Sequence, residues 1–167
     1  VSCAEGDQGF IYQGAAEFEI QNLDVSNLPK TSTAVMLNMA NPAAAYKWWR
    51  VPADGIGLVR MEFVVGNHIR IHPMALVHFE HLKDAAAKQQ IAEITRAYSD
   101  KTEYFVDRLA LGLSRIAAVM HPKPVIVRMS DFKTNEYANL IGGAAFEPSE
   151  ENPMIGFRGA SRYYSTR

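Results

Sequence analysis

The chain has 167 residues, with 17 Lys and Arg against 18 Asp and Glu, so its formal net charge is -1. Its 48% hydrophobic and 21% charged residues are an ordinary globular composition at about the length of one domain. The near-zero charge, without a basic stripe, argues against nucleic acid as a partner. No apolar run approaches the roughly 18 residues of a helical membrane span, which argues against membrane insertion.

The single cysteine, Cys3, rules out an internal disulfide framework and a multi-cysteine metal site, and it suits a reducing, cytoplasmic setting. No charged start followed by an apolar core marks a secretory signal. Val1-Ser2-Cys3 reads as the middle of a strand and no methionine begins the chain, so a piece of a longer protein is expected.

In chain order, Gly6-Asp7-Gln8-Gly9 is turn chemistry, followed by two short strands, Phe10-Ile11-Tyr12 and Ala16–Ile20, joined at Gln13-Gly14. In the second, Ala16, Phe18 and Ile20 alternate with Glu17 and Glu19, the period of a half-buried strand. Residues 1–23 are therefore expected to be a β-hairpin closing a small β-rich domain, and 24–32, with Ser26-Asn27 and Pro29, a linker.

A new pattern occupies residues 33–167. The apolar run Ala34-Val35-Met36-Leu37 stops at Asn38, and Asn41-Pro42 offers an N-cap with proline at the first helical position. A helix over Pro42–Arg50 is expected to turn Ala45, Trp48 and Trp49 inward, and Gly55–Phe63 to form a strand that delivers Arg60 and then Glu62. Residues 64–82, which carry His68, His72, His78 and His81, read as irregular. Helical patterns follow over Asp84–Ala97 and from Asp100, where Asp100 and Glu103 have capping-box spacing and Phe105, Leu109, Leu113, Ile116 and Met120 share one face. Pro122 and Pro124 end that helix and launch Val125-Ile126-Val127, which delivers Arg128 into a polar turn holding Ser130, Asp131, Lys133, Asn135 and Glu136. Beyond the Gly142-Gly143 break, Glu147–Pro153 reads as a polar turn, and NPMIGFRG places Arg158 behind Gly156.

Strands alternating with helices indicate parallel βαβ units and the α/β class. Three such strands are too few to close an eight-stranded barrel but enough to begin one, and sites in such barrels lie at the C-terminal ends of strands. If the strands are parallel, Arg60 and Arg128 emerge on one rim. Neighbouring guanidiniums repel unless an anion sits between them, and phosphate suits their planar donor fork. Pairing with a local carboxylate, Glu62, Asp131 or Glu136, fits the spacing equally well, and spacing alone leaves both readings open. His72, before Pro73, reads as a turn or helix-start residue and His121 as a helix end. No HExxH-type motif accompanies His78 and His81, for which a surface or packing role is expected. No phosphate-loop or dinucleotide fingerprint is present.

At GIGLVRMEF, HPKPVIVRMSDFKTNEYANLIGG and EENPMIGFRGASRYY the sequence resembles the phosphoenolpyruvate-utilising enzymes. That family holds the synthases (pyruvate, water dikinases), the pyruvate, phosphate dikinases and enzyme I of the sugar phosphotransferase system. The SDFKTNEYANL continuation after Arg128 is similar to the synthase branch, and NPMIGFRG puts Arg158 in a family arginine slot. The resemblance implies the N-terminal part of a (β/α)8 TIM-type barrel that binds pyruvate or phosphoenolpyruvate with magnesium (Mg2+). The hairpin would be the tail of a swivelling phosphohistidine domain, which works with an ATP-grasp domain that uses ATP. Arg60, Arg128 and Arg158 would bind substrate, with Glu62, Asp131, Asn135 and Glu136 orienting them.

The family's phosphohistidine segment is expected before residue 1, and its magnesium carboxylates and proton-donating cysteine after Arg167; Cys3 is not that cysteine. No catalytic or metal-binding residue is therefore expected here, and the isolated stretch is expected to be inactive and to leave sheet edges unpaired. The expected partners are the rest of the parent chain and, through the barrel, a second copy of it. Rival readings are the dikinase or enzyme I chemistries and a non-catalytic anion-binding module.

Overall fold

The computed structural model describes residues 10–15, 17, 19, 22, 24, 25 and 27–165. The chain divides into two compact units, 1–30 and 31–167. In the first, Gly14 takes a left-handed φ of +90° and the Phe10 and Tyr12 rings lie 6.5 Å apart. Cys3, the turn at Gly6–Gly9 and the alternating Ala16, Phe18 and Ile20 lie outside the described residues.

The second unit is mixed α/β around a three-stranded parallel sheet. Its strands are β1 (Met36–Met39), β2 (Gly55–Arg60) and β3 (Val125–Arg128), in the order β1-β2-β3. Asn41 caps the connecting helix α1 (Pro42–Trp48) by accepting the Ala43 N–H, as its sequence signature requires. The remaining helices are α2 (Met61–Val64), α3 (Pro73–Val77), α4 (Ala85–Ile94), α5 (Lys101–Met120), α6 (Thr134–Ala138) and α7 (Ala160–Tyr164). Asp84 and Asp100 cap α4 and α5 by accepting backbone N–H groups.

Helix α5 spans two apolar cores. Near its start Tyr104 joins Met61, Val65, Ile69, Ile71, Ala75, Leu76 and Ile91. Near its end Ile116 and Met120 join Met39, Ala45, Ile56 and Val59, beneath the sheet. Each fully buried Ile or Val there contributes roughly 1.5–3 kcal/mol by leaving water. Between the cores Gly112 lets α5 approach closely: a Cβ there would lie 2.6 Å from Val64 Cγ1 and 3.8 Å from Pro42 Cγ.

Three sequence expectations are corrected. Trp48 and Trp49 are 46% and 48% exposed, because α1 meets α5 through the small face of Pro42 and Ala45. Each indole instead stacks beneath a neighbouring cation, Lys47 at 5.3 Å and Arg50 at 5.2 Å. The strand expected over Gly55–Phe63 ends at Arg60, where the chain turns directly into α2 and buries Met61 and Val64 in the core. The segment read as irregular is ordered: a π-helical turn, Val65–Ile69, continues α2, Arg70 closes it at a φ of +66°, and α3 and a 3₁₀ turn at Phe79–His81 follow. A π-helical turn has no i, i+3, i+4 period, which is why the apolar spacing of this stretch looked patternless.

Gly112→Ala is expected to destabilise the chain by about 1–3 kcal/mol despite alanine's better helix propensity, because overpacking against fully buried Val64 outweighs it. Urea denaturation of the two proteins measures the difference.

Candidate functional site

The sheet register sets the site. Arg60 pairs with Arg128 across the parallel β2–β3 ladder, so the last residues of both strands stand side by side. The shared rim expected from the sequence is present. A cleft of about 330 Å³ opens above it, lined by Arg60, Arg128, Lys133 and Arg158 among cations and Glu62, Asp131 and Glu136 among carboxylates. Phe63, Gly66, Asn67, Phe132 and Met154 complete its wall.

Two of the arginines are held by carboxylates. Arg128 Nη2 donates to Glu62 Oε1 at 2.6 Å, and the same oxygen accepts the Asp131 N–H at 2.8 Å. Glu62 thus ties the start of α2 to the turn after β3. Its other oxygen, Oε2, is buried without a hydrogen-bond partner. Arg158 grips Asp131 with a two-pronged contact, Nε to Oδ1 at 3.0 Å and Nη2 to Oδ2 at 2.9 Å, and Nη2 also reaches the Asp131 carbonyl at 3.2 Å. That contact, more than any other, holds the Asp131 carboxyl below its ordinary range and raises Arg158 above its own. Arg128 Nη1 lies 3.7 Å from Asp131 Oδ2, so Asp131 sits between two guanidiniums.

Arg60 differs. It is exposed at the strand end and, among the described residues, has neither an ion pair nor a hydrogen bond for its side chain. The choice that spacing left open resolves residue by residue: Arg128 and Arg158 have carboxylate partners, and Arg60 has none among the described residues. Four cations against three carboxylates leave the cleft with a net positive charge.

Of the residues expected to orient the arginines, Glu62 and Asp131 do so directly. Glu136 lines the cleft but bonds Lys133, accepting its N–H at 2.8 Å with Nζ 3.6 Å away. Asn135 is exposed on α6 and does not line the cleft. Asn135 and Glu136 also lie in α6 and not in the turn, whose helix start the sequence left unmarked. Lys133 and Asn67 were missed as lining residues. Lys133 stood in plain view beside Asp131, whereas Asn67 reaches the cleft from the π-helical turn, which no periodicity announces.

A second polar cluster lies away from this cleft. His72 caps α3 through Nδ1, which accepts the Met74 N–H at 3.2 Å, so in the neutral ring Nε2 carries the proton and donates to Glu147 Oε1 at 3.0 Å. The helix-start role read for His72 is therefore correct, while Glu147, read as part of a polar turn, has a buried side chain that also binds both Nη atoms of Arg162 at 2.8 and 2.6 Å. Arg162 is sandwiched over Tyr137 at 4.3 Å and Phe157 at 4.7 Å. Burial holds His72 below its ordinary pKa, against the pull of Glu147. No local pattern signals this pairing in the sequence, because the two partners lie 15 residues apart.

Among the described residues no group of three or more His, Cys, Asp or Glu side chains gathers to hold a metal ion, and no helix is long and apolar enough to cross a membrane.

The family described as PEP-utilising enzyme, PEP-binding domain, matches residues 15–167. A phosphoenolpyruvate synthase of Synechocystis sp. is 54% identical over 165 residues, covering 98% of this chain and 20% of that protein. Phosphoenolpyruvate synthases of Aquifex aeolicus and Escherichia coli are 41% and 44% identical, each covering 99% of this chain and 24% and 21% of their own length. The chain thus spans between a fifth and a quarter of the curated relatives it matches.

Two measurements check the site as described. Arg128→Ala strands the buried Glu62 carboxylate and is expected to cost about 1–3 kcal/mol, whereas Arg60→Ala is expected to stay within about 0.5 kcal/mol of the parent; chemical denaturation separates them. Because the folded-state pKa of His72 is lowered, the unfolded chain takes up a proton first. The stability its neutral form contributes is complete above the ordinary histidine value of about 6.5 and is lost as pH falls below it. The drop in thermal midpoint between pH 7.5 and 5.5 is expected to shrink in His72→Asn, which keeps the α3 cap and removes the titration.

Proposed function

The chain belongs to the PEP-utilising enzymes through their PEP-binding domain, and on that premise we propose that its arginine rim binds phosphoenolpyruvate and pyruvate. The observation that carries the reading is Arg60, set beside Arg128 by the sheet register and, among the described residues, without an ion pair or hydrogen bond for its guanidinium. A dianionic phosphate supplies the counter-charge this rim lacks, and its oxygens match the guanidinium fork two at a time. Arg128 and Arg158, already locked on Glu62 and Asp131, present their remaining N–H groups without paying for ordering when the ligand arrives.

In the longer protein this rim would serve phosphoryl transfer of the synthase type, in which ATP, pyruvate and water give AMP, phosphoenolpyruvate and phosphate. The phosphorus–nitrogen bond of a phosphohistidine breaks, a bond forms to the enolate oxygen of pyruvate, and the methyl carbon gives up a proton. The arginines contribute by position and charge, stabilising the phosphoryl oxygens in flight. The names of the relatives favour this branch over the dikinase and enzyme I chemistries. The magnesium implied by the family does not fit the described cleft, whose carboxylates Glu62 and Asp131 are engaged by arginines and Glu136 by Lys133.

The sheet reads best as the first arc of a (β/α)8 barrel, with residues 1–23 as the tail of a swivelling domain and 24–32 as the linker. Parallel strands joined by helices support this, as do arginines at the C-terminal strand ends and a β3 whose Ile126 and Val127 are 54% and 37% exposed, with β2 its one neighbouring strand among the described residues. With no general acid or phosphohistidine assigned in it, the chain alone is expected to bind without turnover, as part of a cytoplasmic enzyme.

Calorimetric titration with phosphoenolpyruvate tests the reading. Arg60→Ala and Arg128→Ala are each expected to weaken binding by about tenfold to a hundredfold, the worth of a charge-assisted hydrogen bond. Affinity unchanged in both variants would refute it.

A further inference from the structure

Arg158 hangs on a turn whose shape is set from beneath by a different residue. The NPMIGFRG segment places one glycine two residues before Arg158 and one directly after it. The Glu150 carboxylate lies against Gly156 so closely that a Cβ at that position would overlap it. Gly159 follows with a left-handed φ of +58°, where a Cβ would stand 3.1 Å from Asp131 Oδ1. Each glycine therefore makes room for a carboxylate.

Glu150 uses both of its oxygens. Oε2 accepts the hydroxyl of Thr134 at 2.7 Å, and Oε1 accepts the Phe157 N–H at 2.8 Å. Thr134 is 1% exposed at the first position of α6, a fixed point in the fold. Among the described residues the other hydrogen bonds of residues 152–157 stay within the turn or come from Arg158: Met154 N–H to Asn152 Oδ1, Ile155 N–H to the Asn152 carbonyl, Gly156 N–H to the Pro153 carbonyl, and Arg158 Nη1 to the Met154 carbonyl and Sδ. Glu150 does not line the cleft, whereas Arg158 does.

We propose that Glu150 is the positioning residue for Arg158, pinning the Phe157 N–H to the start of α6 so that the guanidinium meets Asp131 with both prongs. It acts through the backbone and does not touch ligand. Its two acceptor bonds also hold the Glu150 carboxyl below its ordinary range, consistent with a carboxylate that stays ionised in this role. The consequence for ligand affinity rests on the phosphoenolpyruvate reading; the positioning itself does not.

The chemistry dictates a graded set of variants. Glu150→Gln keeps an oxygen for the Phe157 N–H and an amide that donates to the Thr134 hydroxyl. Glu150→Ala loses both bonds. Gly156→Ala pushes an intact carboxylate out of place, and that penalty vanishes once the carboxylate is gone.

The test is solvent exchange of the Arg158 Nε–H, followed by nitrogen-edited NMR in the whole chain. Exchange is expected to be about tenfold faster in Glu150→Ala and in Gly156→Ala, near parental in Glu150→Gln, and no faster in the Glu150→Ala/Gly156→Ala double variant than in Glu150→Ala. Unchanged exchange in Glu150→Ala, or equal loss in Glu150→Gln, would overturn the proposal. Should Glu150→Ala fail to fold, the contrast between Glu150→Gln and Gly156→Ala decides: protection kept in the first and lost in the second supports positioning, and any other pattern overturns it. In phosphoenolpyruvate titrations Glu150→Ala is expected to add no further loss on an Arg158→Ala background; an additive loss counts against positioning. A parent chain that binds no phosphoenolpyruvate while the exchange pattern holds would refute the binding reading and leave Glu150 in its place.

Discussion

The site depends on the single oxygen Glu62 Oε1. It accepts from the Arg128 guanidinium and from the Asp131 N–H together, joining the first turn of α2 to the last residue of β3 and to the turn behind it. Arg60 and Arg128 end adjacent strands whose backbones lie roughly 4.8 Å apart, and the bridge gives one of these two neighbouring like charges a partner. Asp131, drawn in by the bridge, then takes up Arg158. Two carboxylates therefore hold two arginines in place, and the third arginine is left for something that comes from outside.

That arrangement rests on a mechanically separate support. Helix α5 links two apolar cores, one under the sheet and one under the π-helical turn that carries Gly66 and Asn67 to the cleft. The buried His72–Glu147–Arg162 cluster fastens the later loops, and the Ile71–Ile141 bridge fixes the same region through the backbone. Buried pairs of this kind add little net stability but fix one arrangement, because removing either partner leaves an uncompensated charge. In this chain Glu147 and Arg162 bracket the segment from which Arg158 projects.

Much of this was legible in the sequence where the signal is local. The β-branched run before Arg128, the Asn41-Pro42 and Asp100 caps, and the long amphipathic face of α5 each follow from spacing within a few residues, and each is found. The side-by-side placement of Arg60 and Arg128 followed from parallel strands alone. Where the reading failed, the deciding contact was remote. Hydrophobicity points Trp48 and Trp49 inward, yet the helix face that α5 accepts is made of small residues. Glu147 looked like turn polarity because its partners, His72 and Arg162, lie 75 and 15 residues away. The pairing of Arg158 with Asp131 was likewise invisible to spacing, being a contact across 27 residues.

The most direct measurement follows the three arginine side chains by NMR while phosphoenolpyruvate is added to the whole chain. Arg60, exposed and without a partner among the described residues, is expected to gain exchange protection and distinct guanidinium signals at saturation, while Arg128 and Arg158 shift but keep their carboxylate partners throughout. An Arg60 side chain that gains no protection at saturating phosphoenolpyruvate would contradict the claim that the rim reserves it for the phosphoryl group.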